Sequence, residues 1–164
     1  MKLLLAEDEK DLSNAVSRVL RFYRYDIIQG PTDSGNFPID SGDGSAGGIF
    51  IDSGSVIATG SSDMLESPLS TSKQNSIVYS GSTYASGSVI ALKDSSDNEI
   101  LKTTVTKTGA AVILSSEDIL AGGTYTLYIN GTSVGSASIT TRITAIGTGS
   151  AGGQTSSGGM PGGR

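Results

Sequence analysis

GSVIALKDSSDNEILKTTV (residues 87–105) is two apolar-rich segments joined by a polar corner, and its reading decides the fold. Neither half carries a Gly or Pro beyond its first residue. GSVIALKD at 87–94 and EILKTTV at 99–105 therefore read as strands, and DSSDN between Lys93 and Glu99 reads as their hairpin connection. The same grammar extends outward. SIVYS at 76–80, AAVILSS at 110–116, GTYTLYI at 123–129 and SVGSASIT at 133–140 are further strands, and Asn130–Gly131 has the type I′ preference for positive φ at both turn positions. Six strands of alternating pattern predict a small antiparallel β-sandwich over 75–144. Leu120, Gly122, Tyr125 and Leu127 resemble the corner before a late strand in immunoglobulin-like sandwiches.

Composition agrees with a β-rich chain. Of 164 residues 23 are Gly, about twice the usual share, and aromatics are only 5%, so a core has to be made from Ile, Val, Leu and Ala. The net charge of −5 disfavours a nucleic-acid partner, which would need a basic surface, and leaves carboxylates for a divalent cation such as calcium. With neither Cys nor His, the chain has no disulfide, no thiol nucleophile, no ordinary zinc site and no His-based triad. No apolar run approaches the roughly 20 residues of a membrane span. MKLLLA is followed at once by EDEKD, so no export signal is read, which leaves a cytoplasmic location open.

Before the sandwich the texture differs. Lys2–Ala6 reads as a short strand, and Leu12, Val16, Val19, Leu20 and Tyr23 fall at the spacing of one amphipathic helix, acidic at its front and basic at its back. From 27 to 74 short apolar pieces alternate with Gly, Asp, Ser and Pro. Strands are expected near 25–29, 37–39, 48–51 and 55–59, and the IDSG tetrad recurs at Ile39–Gly42 and Ile51–Gly54. That pattern suggests a short parallel β-helix remnant, followed by a polar connection over 61–74. Beyond Thr144 the Gly- and Ser-rich sequence reads as a flexible tail, residues 145–164.

Two resemblances divide the chain. LLLAEDE with the following helix, residues 1–26, resembles the first strand and helix of response-regulator receiver domains. That likeness implies that Glu7 and Asp8 hold Mg²⁺ and, by residue count, that Asp52 in GGIFIDSG accepts phosphate. Pro31, Pro38 and the surrounding glycines forbid the receiver's second helix, and Ser53, Gly54 and Ser55 replace the expected residues after the aspartate. Residues 27–164 resemble the C-terminal part of bacterial calcium-binding, carbohydrate-binding parallel β-helix proteins, through GPTDSGN (30–36), GSVIATGSSDM (54–64), GGTYTLYINGTS (122–133) and GGMPGGR. This second likeness implies an extracellular or cell-surface, non-enzymatic module that binds polysaccharide, including acidic polysaccharide.

The site candidates follow. Asp33, Asp40, Asp43 and Asp52 offer oxygen ligands for calcium in glycine-flexed turns, or serve as Asx-turns at strand ends. Tyr79, Tyr84 and Tyr128 are the candidates for stacking on sugar rings, against packing within the strands, to which Tyr125 is assigned. Asn130–Thr132 fits a glycosylation sequon but reads first as a hairpin turn. Glu117 and Asp118 are adjacent and point apart, so no hydrolytic pair is proposed. The expected whole is a mainly β chain: an N-terminal amphipathic helix, a β-helix remnant and a β-sandwich. The two parts are expected to have met through a joined or truncated reading frame. An exposed sheet edge makes self-association an expectation too.

Overall fold

The computed structural model describes residues 49–63 and 65–148, and these form two four-stranded sheets with no helix. The strands are β1 (Val56–Gly60), β2 (Ser76–Tyr84), β3 (Val89–Asp94), β4 (Glu99–Thr104), β5 (Gly109–Ser115), β6 (Thr124–Ile129), β7 (Thr132–Ser138) and β8 (Ile143–Gly147). The first sheet runs β1-β5-β2-β8 and the second β4-β3-β6-β7. All pairings are antiparallel except β2 with β8, which is parallel.

The sandwich core lies between the sheets. Ile77, Tyr79, Val112 and Leu114 from the first sheet meet Ile90, Leu92, Leu101, Tyr125 and Leu127 from the second. In the second sheet one face is buried and one is not, so β6 reads in strict alternation: Tyr125 and Leu127 go inward, Thr126 and Tyr128 outward. In the first sheet β1, β5 and the first half of β2 are buried on both faces. Val56, Ala58, Val78 and Ile113 point away from the sandwich core into a second apolar cluster completed by Ile49 and Ile51. That is why AVIL in β5 is continuously apolar where β6 alternates. A strand covered on both sides has no polar face to write.

Backbone hydrogen bonds fasten the covering layer. Leu69 N donates to Ile49 O at 2.8 Å and Gln74 N to Ile51 O at 3.1 Å, so 49–51 and 69–74 lie side by side over the first sheet. The polar connection expected over 61–74 is therefore partly interior, with Ser72 and Gln74 buried.

Two boundaries move. The strand expected near 55–59 as a β-helix rung is β1, and it pairs antiparallel with β5 instead, Val56 opposite Ser115 and Gly60 opposite Ala111. Likewise the sandwich does not end at Thr144. β8 carries it to Gly147, because Ile146, 3% exposed, has a place in the inter-sheet core that composition does not announce. The N-terminal helix, the pieces before Ile49 and the sequence after Thr148 lie outside the described residues.

Turn chemistry follows expectation at two sites. Asn130 (φ 51°) and Gly131 (φ 77°) form the β6–β7 hairpin. In the β3–β4 corner Asp97 takes φ 65°, and the Asp94 carboxylate accepts hydrogen bonds from Ser96 N at 2.8 Å and Asn98 N at 2.9 Å. Before β6, the Tyr125 hydroxyl donates to Asp118 O and accepts from Leu120 N, both at 2.8 Å. A tyrosine at the start of a late strand, bonded back to upstream backbone, has the form of the tyrosine corner of immunoglobulin-like sandwiches.

Candidate functional site

Of the three tyrosines singled out for sugar stacking, two are interior. Tyr79 is 2% exposed and Tyr84 3%, both in the inter-sheet core, so neither ring presents a face to solvent. Tyr84 is a structural tie whose hydroxyl donates to Ala111 O at 2.6 Å and accepts from Gly60 N at 3.1 Å. Burial pushes this phenol up to about 12, only partly opposed by its hydrogen bonds to Gly60 and Thr59.

Tyr128 is placed differently. It sits half-exposed on the outer face of the second sheet, opposite Ala91 on β3 and Ser133 on β7. Next to it on that face, Thr126 Oγ1 and Ser136 Oγ share a hydrogen bond of 2.7 Å, and Thr124 Oγ1 and Ser138 Oγ one of 2.8 Å. The sequence-based candidates do not include these hydroxyl rungs. A signal for them exists, because the period of two in TYTLY puts Thr124, Thr126 and Tyr128 on one side.

Two cations border the face. Lys93 Nζ stands 5.4 Å from the centroid of the Tyr128 ring, within cation–π range, while bonded to Asp97 Oδ1 at 2.8 Å. The hydrogen bond to Asp97 is the main reason the Lys93 ammonium is held above its ordinary pKa. Lys102, opposite Ala91 on β4, pairs with Glu99 at 2.8 Å. The result is a surface of hydroxyls with one aromatic ring and two ammonium–carboxylate pairs. Each ammonium is matched by a carboxylate, Asp97 or Glu99, so such a surface can hydrogen-bond an extended polar chain and stack on an apolar ring face.

The remaining candidates lie elsewhere. Asp52 follows Ile51 in the covering layer, where its carboxylate accepts from Lys73 N at 3.4 Å and pairs with Lys73 Nζ at 3.4 Å. It borders a groove of about 250 Å³ shared with Glu117, Leu120 and Arg142. Several polar groups of that groove are spent on one another and on the backbone, while Gln74, which also lines it, keeps a buried Oε1 without a partner among the described residues. Arg142 donates to Lys73 O at 2.8 Å and to Asn75 Oδ1 at 3.0 Å, and Asn75 Nδ2 donates to Ile119 O at 2.7 Å. Glu7, Asp8, Asp33, Asp40 and Asp43 lie outside the described residues. Among the described residues no three carboxylates come together as a metal site, and no helix is long and apolar enough to cross a membrane.

Comparison with protein-family models, with curated proteins and with solved structures found no match to this chain.

Proposed function

We propose that the chain is a non-enzymatic carbohydrate-binding module, and that the outer face of the β4-β3-β6-β7 sheet is its binding surface. One observation carries this reading: Tyr128 alone of the three candidate rings faces outward, and it does so among hydroxyls and beside Lys93. A sugar ring has an apolar face for the tyrosine and hydroxyls for Thr126 and Ser136. A polysaccharide carboxylate would engage Lys93 or Lys102 by displacing Asp97 or Glu99 from its present ion pair. In a surface protein of the β-helix type, such a module would hold the polymer while other parts of the protein act on it or anchor it.

The test is isothermal titration of the full chain with a soluble acidic pectic oligosaccharide. Heat of binding is expected, and Tyr128→Ala should weaken affinity roughly tenfold or more, as for an aromatic anchor. Its melting temperature should stay close to that of the parent chain, because the ring lies on the outer face. Absence of heat with the parent chain, or equal affinity in the variant, would overturn the reading.

A further inference from the structure

Five asparagines occur in the chain, and one of them, Asn130, is followed by glycine. That pair is chemically distinct. Glycine has no Cβ to screen its own N–H, so no side chain at 131 keeps the Gly131 nitrogen from the Asn130 carboxamide carbon. The pair also lies where water reaches it, since Asn130, Gly131 and Thr132 are all exposed between β6 and β7.

The hairpin does not leave that carboxamide loose. Its Oδ1 accepts from Val89 N at 2.8 Å, and its Nδ2 donates to Ser88 Oγ at 3.2 Å. Asn130 N also donates to Val89 O at 2.8 Å, so the turn is tied to the start of β3 through both backbone and side chain. Ser88 is only 5% exposed, which places the acceptor of Nδ2 within the fold. The left-handed backbone, φ 51° at Asn130 and 77° at Gly131, is the relaxed form of such a turn. For the Asn130 carbon to meet the Gly131 nitrogen, the carboxamide has to rotate off both Ser88 and Val89.

We propose that Asn130 is a modification site of the chain itself, converting to aspartate and isoaspartate through a succinimide, with Ser88 and Val89 as the gate that sets its rate. In the first step Gly131 N gives up its proton to solvent and bonds to Asn130 Cγ, while the Cγ–Nδ2 bond breaks and ammonia leaves. Water then opens the ring at either carbonyl, so the balance is one water taken up and one ammonia lost. Either product loses the Nδ2 donor to Ser88 and carries a new carboxylate. Isoaspartate also routes the main chain through the side chain, one methylene longer, next to the pairs Ile129–Thr132 and Tyr128–Ser133. The gate is a local opening: the folded chain reacts at the rate of the released turn multiplied by the fraction of time it is released. This chemistry requires no ligand on the outer face.

Peptide-mapping mass spectrometry of the full chain, incubated in mildly alkaline buffer both folded and in urea, tests the proposal. Asn130 should take on the amide-to-carboxyl mass change ahead of Asn75 and Asn98, with an isoaspartyl peptide separating from the aspartyl one. Modification should be slower folded than in urea, by the protection that hydrogen exchange measures at Val89 N. Ser88→Ala removes one hydrogen bond and should speed the folded chain about fivefold, leaving the rate in urea unchanged. If Ser88→Ala fails to melt cooperatively, agreement between Val89 protection and the slowing in the parent reads the same gate. The proposal is overturned by an unmodified Asn130 in the folded chain, by equal rates folded and in urea, or by a Ser88→Ala rate equal to the parent's.

Discussion

The hydroxyl of Tyr84 donates a 2.6 Å hydrogen bond to the carbonyl of Ala111, and through Gly60 N, 3.1 Å away, the same oxygen holds β1 as well. One side chain at the end of β2 therefore joins three strands of the first sheet. Tyr84→Phe keeps the ring and removes the tie, leaving buried backbone groups short of a partner. A loss of about 1–3 kcal/mol is expected. Urea unfolding checks it: the midpoint should fall and the slope should not.

The same residue gives the fold an alkaline limit. Burial raises the Tyr84 phenol from 10.0 to about 12, so the unfolded chain releases this proton first. The stabilisation is complete below pH ~10 and is lost as pH rises through the folded value. The loss is on the order of 2–3 kcal/mol for that shift. Denaturation midpoints measured from pH 8 to 12 should decline more steeply in the parent than in Tyr84→Phe; parallel curves would refute the assignment.

Beside this tyrosine, Gly109 has no room for a side chain. A Cβ there would meet both the Gly60 carbonyl and the Tyr84 hydroxyl, and the backbone carbonyl cannot swing away. Gly109→Ala should cost roughly 1–3 kcal/mol by overpacking. In combination with Tyr84→Phe the cost should be somewhat less than additive, because the hydroxyl is gone while the Gly60 carbonyl and the ring Cζ, 2.7 Å from the added Cβ, still obstruct. Paired melts of the single and double variants measure this coupling.

These contacts also show where sequence reading stops. Strands β3 to β7 are legible because one buried face writes a period of two and because Asn130–Gly131 and the 94–98 corner carry their own turn chemistry. Tyr125 and Tyr128, three residues apart, must lie on opposite faces of β6, and they do. Tyr79 and Tyr84 are five apart, and strict alternation would put one of them outside. The register shift between Ser80 and Tyr84 reverses the parity and turns both inward. Gly81 is the one mark of that shift in SIVYSGSTY. β1 is misplaced for a related reason: five residues define a strand but not its partner, and pairing with β5 is a long-range outcome.

The β3–β4 corner supplies an acid limit. Asp94 is held below its ordinary value of 3.8, first by the Asn98 side chain and then by the Asn98 and Ser96 backbone amides. A carboxylate depressed in this way contributes above the unfolded value, and the contribution is lost as pH falls through the folded one. Asp94→Ala should therefore flatten part of the stability decline below pH ~4. It should also speed amide exchange at Ser96 and Asn98, whose N–H groups lose their acceptor. Unchanged exchange at both amides would show that the corner does not depend on Asp94.

The last described strand, β8, belongs to the inter-sheet core. Ile146 is 3% exposed and packs into the inter-sheet core, whereas Ile143 only borders the outer cluster. Ile146→Ala should cost about 2–5 kcal/mol, the range for truncating a core isoleucine, and Ile143→Ala distinctly less. A chain ending at Thr144 loses Ile146 together with the pairing of Ala145–Gly147 with Val78–Ser80 on β2, so it should be at least as unstable as Ile146→Ala. A chain ending at Thr148 keeps all of these contacts and should be more stable than the one ending at Thr144. If the shorter chain were as stable as the longer, β8 would have no part in the core, and the sandwich would close without it.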